Sequence, residues 1–175
     1  DEIAKISQQY GAKVPFLRPQ DIADDYASDK DVRNHFIEWM KKEEKEADIL
    51  CYLYATAPFI NNKTLCGCKN LLLDSDATCV FTVTNFAYPI LRALKQNSDG
   101  SVSYMWNQYS NSRSQDLPEC LHDAGQCYFF NLRRYQELEK RIGYIIPRIL
   151  AQDIDTPEDF KIAELLFSST RNMDF

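Results

Sequence analysis

ADILCYLYA, residues 47–55, and ATCVFTVT, residues 77–84, decide the fold. Each is a short, nearly continuous apolar run rich in β-branched or aromatic side chains. That is the pattern of a central strand buried on both faces. Between the two runs, Asn62 is placed to cap a helix that continues through Leu73. Strand, helix, strand in that order predicts a right-handed crossover and a sheet whose strands run mostly parallel, flanked by helices.

Outward from this unit, the pattern keeps alternating. Gln126 to Phe130 has strand character, Leu132 to Lys140 reads as a helix, and Ile142 to Ile146 reads as a further strand. Thr156-Pro157-Glu158-Asp159 offers an N-cap, a proline at the first helical position and acids in the first turn. The helix that follows would carry Phe160, Ala163, Leu166 and Phe167 on one side. Towards the N-terminus, Ile3, Ile6 and Tyr10 have helical spacing and Gly11 stands where a helix stops. Val14 to Leu17 reads as extended, and Asp31 is placed to cap a helix to about Lys45, with Val32, Phe36, Ile37 and Met40 as its stripe. Residues 86–123 differ. They hold the turn formers Asn97-Ser98-Asp99-Gly100 and a polar run over 107–116, which predicts an excursion from the sheet containing a small hairpin. Ile90, Leu91 and Leu94 are equally compatible with a short helix there. The division expected is a core over 1–85 and 124–175 with an arm over 86–123.

With 175 residues, 45 % of them apolar and evenly spread, the chain suits one domain with a sizeable core. Its net charge of −6 and the absence of a basic face argue against nucleic acid as a partner. Lys41 and Lys42 run straight into Glu43, Glu44 and Glu46, a solvated helix face. No run is long and apolar enough to suggest a membrane span, and Asp1-Glu2-Ile3-Ala4-Lys5 reads as neither signal nor transit peptide. Six cysteines with no CxxC, and only His35 and His122 beside them, lack zinc-site spacing. Cys51 and Cys79 sit inside apolar runs as small hydrophobes, and reduced thiols point to a cytoplasmic protein.

Asp153-Ile154-Asp155 is the sharpest local signal. Carboxylates two apart in an extended segment project to the same side. They follow a strand and precede a helix, which is the carboxyl end of a sheet, where open α/β folds place ligands. Such a pair suits a hard, oxygen-liganded ion such as Mg²⁺. The competing reading is that Asp155 and Thr156 cap the helix and Asp153 is solvated. Tyr54-Ala55-Thr56-Ala57-Pro58 ends a strand in small residues and proline, either a turn open to a ligand or simply a turn. Arg113-Ser114-Gln115-Asp116 and His122-Asp123-Ala124-Gly125-Gln126 are dense polar clusters. They present a forked cation that can grip a carboxylate and a histidine beside an acid, unless they are merely polar loop. The five glycines are isolated, so no glycine-rich phosphate loop is present, and no serine-nucleophile elbow occurs.

In order, YGAKVPFLRP (10–19), DD (24–25), YATAPF (54–59), VFTVTNFAYPILRAL (80–94), RSQDLPE (113–119), HDAGQ (122–126) and DIDTPEDF (153–160) resemble the acylneuraminate cytidylyltransferase family over essentially the whole chain. YATAPF stands in place of the LQPTSP of the sialic acid enzymes. The resemblance implies a Rossmann-like nucleotidyltransferase sandwich of three layers with a dimerisation arm, and a homodimer. It implies that CTP and a nonulosonic acid, pseudaminic acid or a related sialic-acid-like sugar, give the CMP-sugar and pyrophosphate. Asp153 and Asp155 match the family's catalytic metal positions, for Mg²⁺. Tyr54, Thr56, Arg113, Gln115, His122, Asp123 and Gln126 fall at substrate-binding positions. The family's first strands and its Gly-, Arg- and Lys-rich phosphate loop have no counterpart in this chain. By analogy they amount to about 55 residues, which would complete a domain of common size. Two readings follow, a cytidylyltransferase or a non-catalytic sugar-binding or dimer-forming remnant. The intact Asp153/Asp155 pair favours the first.

Overall fold

A computed structural model describes residues 2–24, 26–135 and 140–170. The chain divides into two compact units, Asp1–Ala47 and Asp48–Phe175. Asp25, the second acid of the DD pair, lies outside the described residues, as do residues 136–139 of the helix expected over 132–140; residues 132–135 form a turn.

In the first unit, helix α1 (Glu2–Gln9) ends at Gly11, whose φ of +88° suits a residue without a Cβ. Helix α2 (Asp29–Lys42) is capped by Ser28 rather than Asp31. The Ser28 hydroxyl accepts from the Asp31 N–H, and the Asp31 carboxylate accepts from the Ser28 backbone, which makes Asp31 the far side of a capping box. The helix stops three residues short of Lys45 because Glu44 turns to a φ of +52°. Phe16 packs edge-on to His35 at 4.9 Å and beside Trp39 at 5.2 Å.

The second unit carries the sheet. Strand β1 (Ile49–Leu53) leads into helix α3 (Asn62–Leu73) and then strand β2 (Cys79–Asn85). Asn61, not Asn62, is the α3 cap, its Oδ1 accepting from the Thr64 N–H at 2.9 Å. A hairpin, β3 (Leu94–Gln96) and β4 (Val102–Tyr104), follows, then β5 (Leu121–Asn131), β6 (Arg141–Ile145) and helix α4 (Pro157–Thr170). The sheet order is β1-β5-β2-β6. β5 runs antiparallel to both neighbours and β2 pairs with β6 in parallel, so β1, β2 and β6 share one direction. The fold is a mixed α/β sandwich. The crossover through α3 joins strands of like direction, as expected, and β5 is inserted between them.

Val80, Thr82 and Thr84 of β2 are fully buried. Cys68 and Leu72 of α3 pack against Val80, Cys127 and Phe129 to form one core cluster. Gly67 lets α3 approach Tyr144 of β6, because a Cβ there would collide with its ring. A second cluster joins Phe59, Ala124, Ile146, Leu150 and Ala163. Of the stripe foreseen for α4, Ala163 is buried and Leu166 packs on this cluster, while Phe160 and Phe167 are more than half exposed at 53 % and 54 %. The arm contains the expected hairpin, turned at Gly100 with a φ of +83°, and 3-10 turns at Ile90–Arg92, Asn107–Tyr109 and Ser114–Asp116. β5 begins at Leu121, earlier than its sequence suggests, which puts His122 and Asp123 on the sheet.

Candidate active site

Because β1, β2 and β6 share a direction and β5 opposes them, one end of the sheet collects the residues after three strands and the start of the fourth. Tyr54 and Thr56 follow β1, Asn85 ends β2, the 153–155 segment follows β6, and His122 and Asp123 open β5. This is the edge at which open α/β sheets hold ligands. A groove of about 940 Å³ lies there, lined by Thr84, Asn85, Ile145, Arg148 and Gln152 among others.

The centre of this edge is a bulge. The β2–β5 register passes from Phe81 opposite Tyr128 to Val83 opposite Asp123, so residues 124–127 stand against Thr82 alone. Internal bonds close the displaced backbone. Asp123 Oδ1 accepts from the Gly125 N–H at 2.9 Å and from the Tyr128 hydroxyl at 2.8 Å. The Cys127 N–H donates to Thr82 Oγ1, replacing a lost ladder bond. Burial, then the hydrogen bond to Asp123, pushes the Tyr128 phenol above its ordinary pKa, so it stays a donor. Its ring stacks on Phe81 at 5.9 Å and lies beside Tyr54 at 5.4 Å. The Tyr54 N–H donates to the Gln126 carbonyl at 3.0 Å, which fastens the end of β1 to the bulge.

Asp153 is drawn into this arrangement. The Ile154 N–H donates to the Thr56 carbonyl at 3.2 Å, joining the two turns. Asp153 Oδ2 lies so near Gly125 that a Cβ on that residue would be 2.7 Å from it. Asp153 Oδ1 is buried without a hydrogen-bond partner. A buried, unsatisfied carboxylate oxygen is costly unless something positive meets it. Asp155 is exposed, and the capping reading does not hold for it. The cap is Thr156, whose Oγ1 accepts from the Asp159 N–H at 3.2 Å while Asp159 Oδ2 accepts from the Thr156 N–H at 2.8 Å. The Thr156 hydroxyl, which also donates to Asp159 Oδ2 at 2.7 Å, and then the Thr156 N–H hold the Asp159 carboxyl below its ordinary range. Among the described residues no group of three or more His, Cys, Asp or Glu side chains gathers to hold a metal. An ion at Asp153 and Asp155 would therefore draw its other ligands from water or substrate, as Mg²⁺ commonly does.

Tyr54, Thr56, Asp123 and Asp153 are thus brought together. Gln126 belongs to the same edge but serves the fold. It is fully buried, and its amide donates to the Leu150 carbonyl, tying β5 to the segment that leads to Asp153. His122 packs on Phe86 at 4.8 Å and directs Nδ1 to the Asp123 carbonyl at 2.7 Å. Gln115 lines a smaller cavity of about 230 Å³ with Phe86, Tyr88 and Glu119. Arg113 spreads its guanidinium over Asp116 in a two-point ion pair, at 2.6 and 2.8 Å. No hydrogen bond or ion pair joins Arg113 or Gln115 to Asp153 among the described residues. Sequence reasoning passed over Gly125 and Tyr128. An isolated glycine inside a strand pattern, two residues after an aspartate, is the signal for such a bulge.

No protein-family model matches the chain. The pseudaminic acid cytidylyltransferase of Campylobacter jejuni is 34 % identical over 180 residues, covering 100 % of this chain and 78 % of that protein. N-acylneuraminate cytidylyltransferase A of Danio rerio is 27 % identical over 94 % of this chain and 38 % of its own length. Among solved structures, CMP:2-keto-3-deoxy-manno-octonic acid synthetase complexed with CTP superposes with a TM-score of 0.57 over 96 % of this chain and 77 % of that one, at 16 % identity. That likeness fixes the nucleotidyltransferase fold. With the C. jejuni relative matched from end to end of this sequence, the chain belongs to the pseudaminic acid cytidylyltransferase family.

Proposed function

We propose that this protein transfers the cytidylyl group of CTP to a nonulosonic acid, pseudaminic acid or a close relative, releasing pyrophosphate. The observation that carries the reading is the 34 % identity that runs the full length of the chain. The gathering of Tyr54, Thr56, Asp123 and Asp153 at the carboxyl end of the sheet supports it. In the step, the oxygen of the sugar's anomeric hydroxyl bonds to the α-phosphorus, the bond from that phosphorus to the pyrophosphate oxygen breaks, and the hydroxyl proton leaves to solvent. Such transfers depend mainly on positioning and on charge stabilisation.

The unpartnered buried Oδ1 of Asp153 and the exposed carboxylate of Asp155 fit a hard divalent cation, Mg²⁺ in this reading. Such an ion, when bound, neutralises phosphate charge and makes the α-phosphorus a better electrophile. Asp153 and Asp155 would hold it. Tyr54, Thr56, Asp123 and His122 would line the sugar side, with Gln126 holding the bulge from beneath. Arg113 and Gln115 would meet the sugar carboxylate from the arm. We also assign the protein a homodimer through the hairpin, where Leu94, Val102 and Met105 are more than half exposed at 53, 61 and 53 %. Sedimentation of Val102→Asp tests this: a dimer in both proteins, or a monomer in both, contradicts the assignment.

Pyrophosphate release tests the activity. The protein, CTP and Mg²⁺ should release it with pseudaminic acid at a rate well above that with no sugar. Equal rates with and without a nonulosonic acid would contradict the reading.

A further inference from the structure

The bulge in β5 does more than bend a strand. Its shape is set by one carboxylate oxygen, Asp123 Oδ1, which gathers the Gly125 N–H and the Tyr128 hydroxyl. Gly125 is held at a φ of +62°, a left-handed conformation that a side chain disfavours. It presents a bare backbone towards Asp153. Any Cβ there would stand 2.7 Å from Asp153 Oδ2 and 3.3 Å from its carboxyl carbon. The clash would fall on the end of a side chain, so the Asp153 carboxylate, rather than the backbone, is what would yield. Asp153 Oδ1, buried and unpartnered, has no hydrogen bond of its own to hold its direction.

We infer that the Asp123–Gly125–Tyr128 bulge is a positioning device for Asp153, setting the direction in which its carboxylate meets the divalent cation. Gly125 sets the floor on which Asp153 rests, and Tyr128 keeps that floor in place through Asp123. Loss of a group that orients a metal-binding side chain typically costs about 10- to 100-fold in metal affinity or activity. This rests on the reading of Asp153 as a cation-binding residue.

Mn²⁺ alone, titrated into the full chain and followed by the EPR signal of the free ion, separates the two claims. Wild type, Asp153→Asn, Gly125→Ala and Tyr128→Phe are compared, with melting temperatures taken on the same samples. Asp153→Asn should lose Mn²⁺ binding. Gly125→Ala should weaken it about 10- to 100-fold. Tyr128→Phe, which keeps the ring on Phe81 and removes only the hydroxyl, should weaken it by at least about threefold, and the Mg²⁺ needed for half-maximal turnover should rise in step while the sugar KM stays within about twofold. Wild-type Mn²⁺ affinity in Gly125→Ala and Tyr128→Phe, with binding lost in Asp153→Asn, overturns the inference and leaves the cation reading standing. Unchanged binding in Asp153→Asn overturns both. If Gly125→Ala melts too low to be titrated, Tyr128→Phe decides the inference by the same criterion.

Discussion

The Ile154 N–H donates to the Thr56 carbonyl at 3.2 Å, so the turn that ends β1 and the segment that carries Asp153 and Asp155 share a hydrogen bond. The elements lie about a hundred residues apart in sequence. Ile154→Pro removes that donor and also restricts Asp153, the residue before it. It should raise the sugar KM and the Mg²⁺ requirement together in steady-state assays. Ile154→Ala keeps the N–H and loses only packing on the second core cluster, so it should lower stability with the kinetic constants nearly intact.

Thr156 and Asp159 form the cap of α4. Thr156→Ala should cost about 1 kcal/mol in urea unfolding and leave turnover within about twofold. Asp159 adds a pH dependence of known sign. Its folded carboxyl is depressed by the Thr156 hydroxyl and N–H. Its stabilisation is therefore fully present above the unfolded carboxylate pKa and lost as pH falls through the lower folded value. The melting-temperature gap between wild type and Asp159→Asn should be constant near neutrality and close below about pH 4.

Gln126 was read from sequence as a substrate contact and is found buried on the Leu150 carbonyl. Gln126→Leu leaves that carbonyl unpaired and should destabilise by about 1–3 kcal/mol in chemical unfolding. If the structural role is the whole of it, the sugar KM stays within about twofold of wild type.

Arg113 is exposed and, among the described residues, is bound to Asp116, which raises its already high pKa. An exposed pair of this kind adds little to stability. Arg113→Ala should therefore leave the melting temperature unchanged. If the arginine grips the sugar carboxylate, the same variant raises the sugar KM about ten- to a hundredfold.

Much of this was legible in the sequence because it rests on local chemistry. CVFTVTN announces a buried strand by composition, and Thr156-Pro157-Glu158-Asp159 announces a helix start. ILCYL is a strand as expected, but it stands at the edge of the described sheet with Cys51 and Leu53 exposed, not at the centre buried on both faces. The insertion of β5 between β1 and β2 was not legible, since strand order depends on long-range pairing that no periodicity records. The polar letters of His122 and Asp123 hid a strand, because the bulge that follows breaks the alternation on which strand reading depends. Caps misassigned by one residue at Asn61 and by three at Ser28 reflect how many residues near a helix start have side chains able to cap. Asp153 and Asp155 stand out together from spacing, but what separates them in the structure is burial. Asp153 is held against Gly125, and Asp155 stands in solvent.

The central claim is that Asp153 and Asp155 hold the cation of a cytidylyl transfer. Formation of CMP-sugar from CTP and pseudaminic acid, measured against Mg²⁺ concentration for wild type, Asp153→Asn and Asp155→Asn, tests it most directly. The account predicts Mg²⁺-dependent product in wild type and a fall by orders of magnitude in both variants, with melting temperatures close to wild type. Near-normal turnover in both variants with an unaltered Mg²⁺ dependence would contradict it.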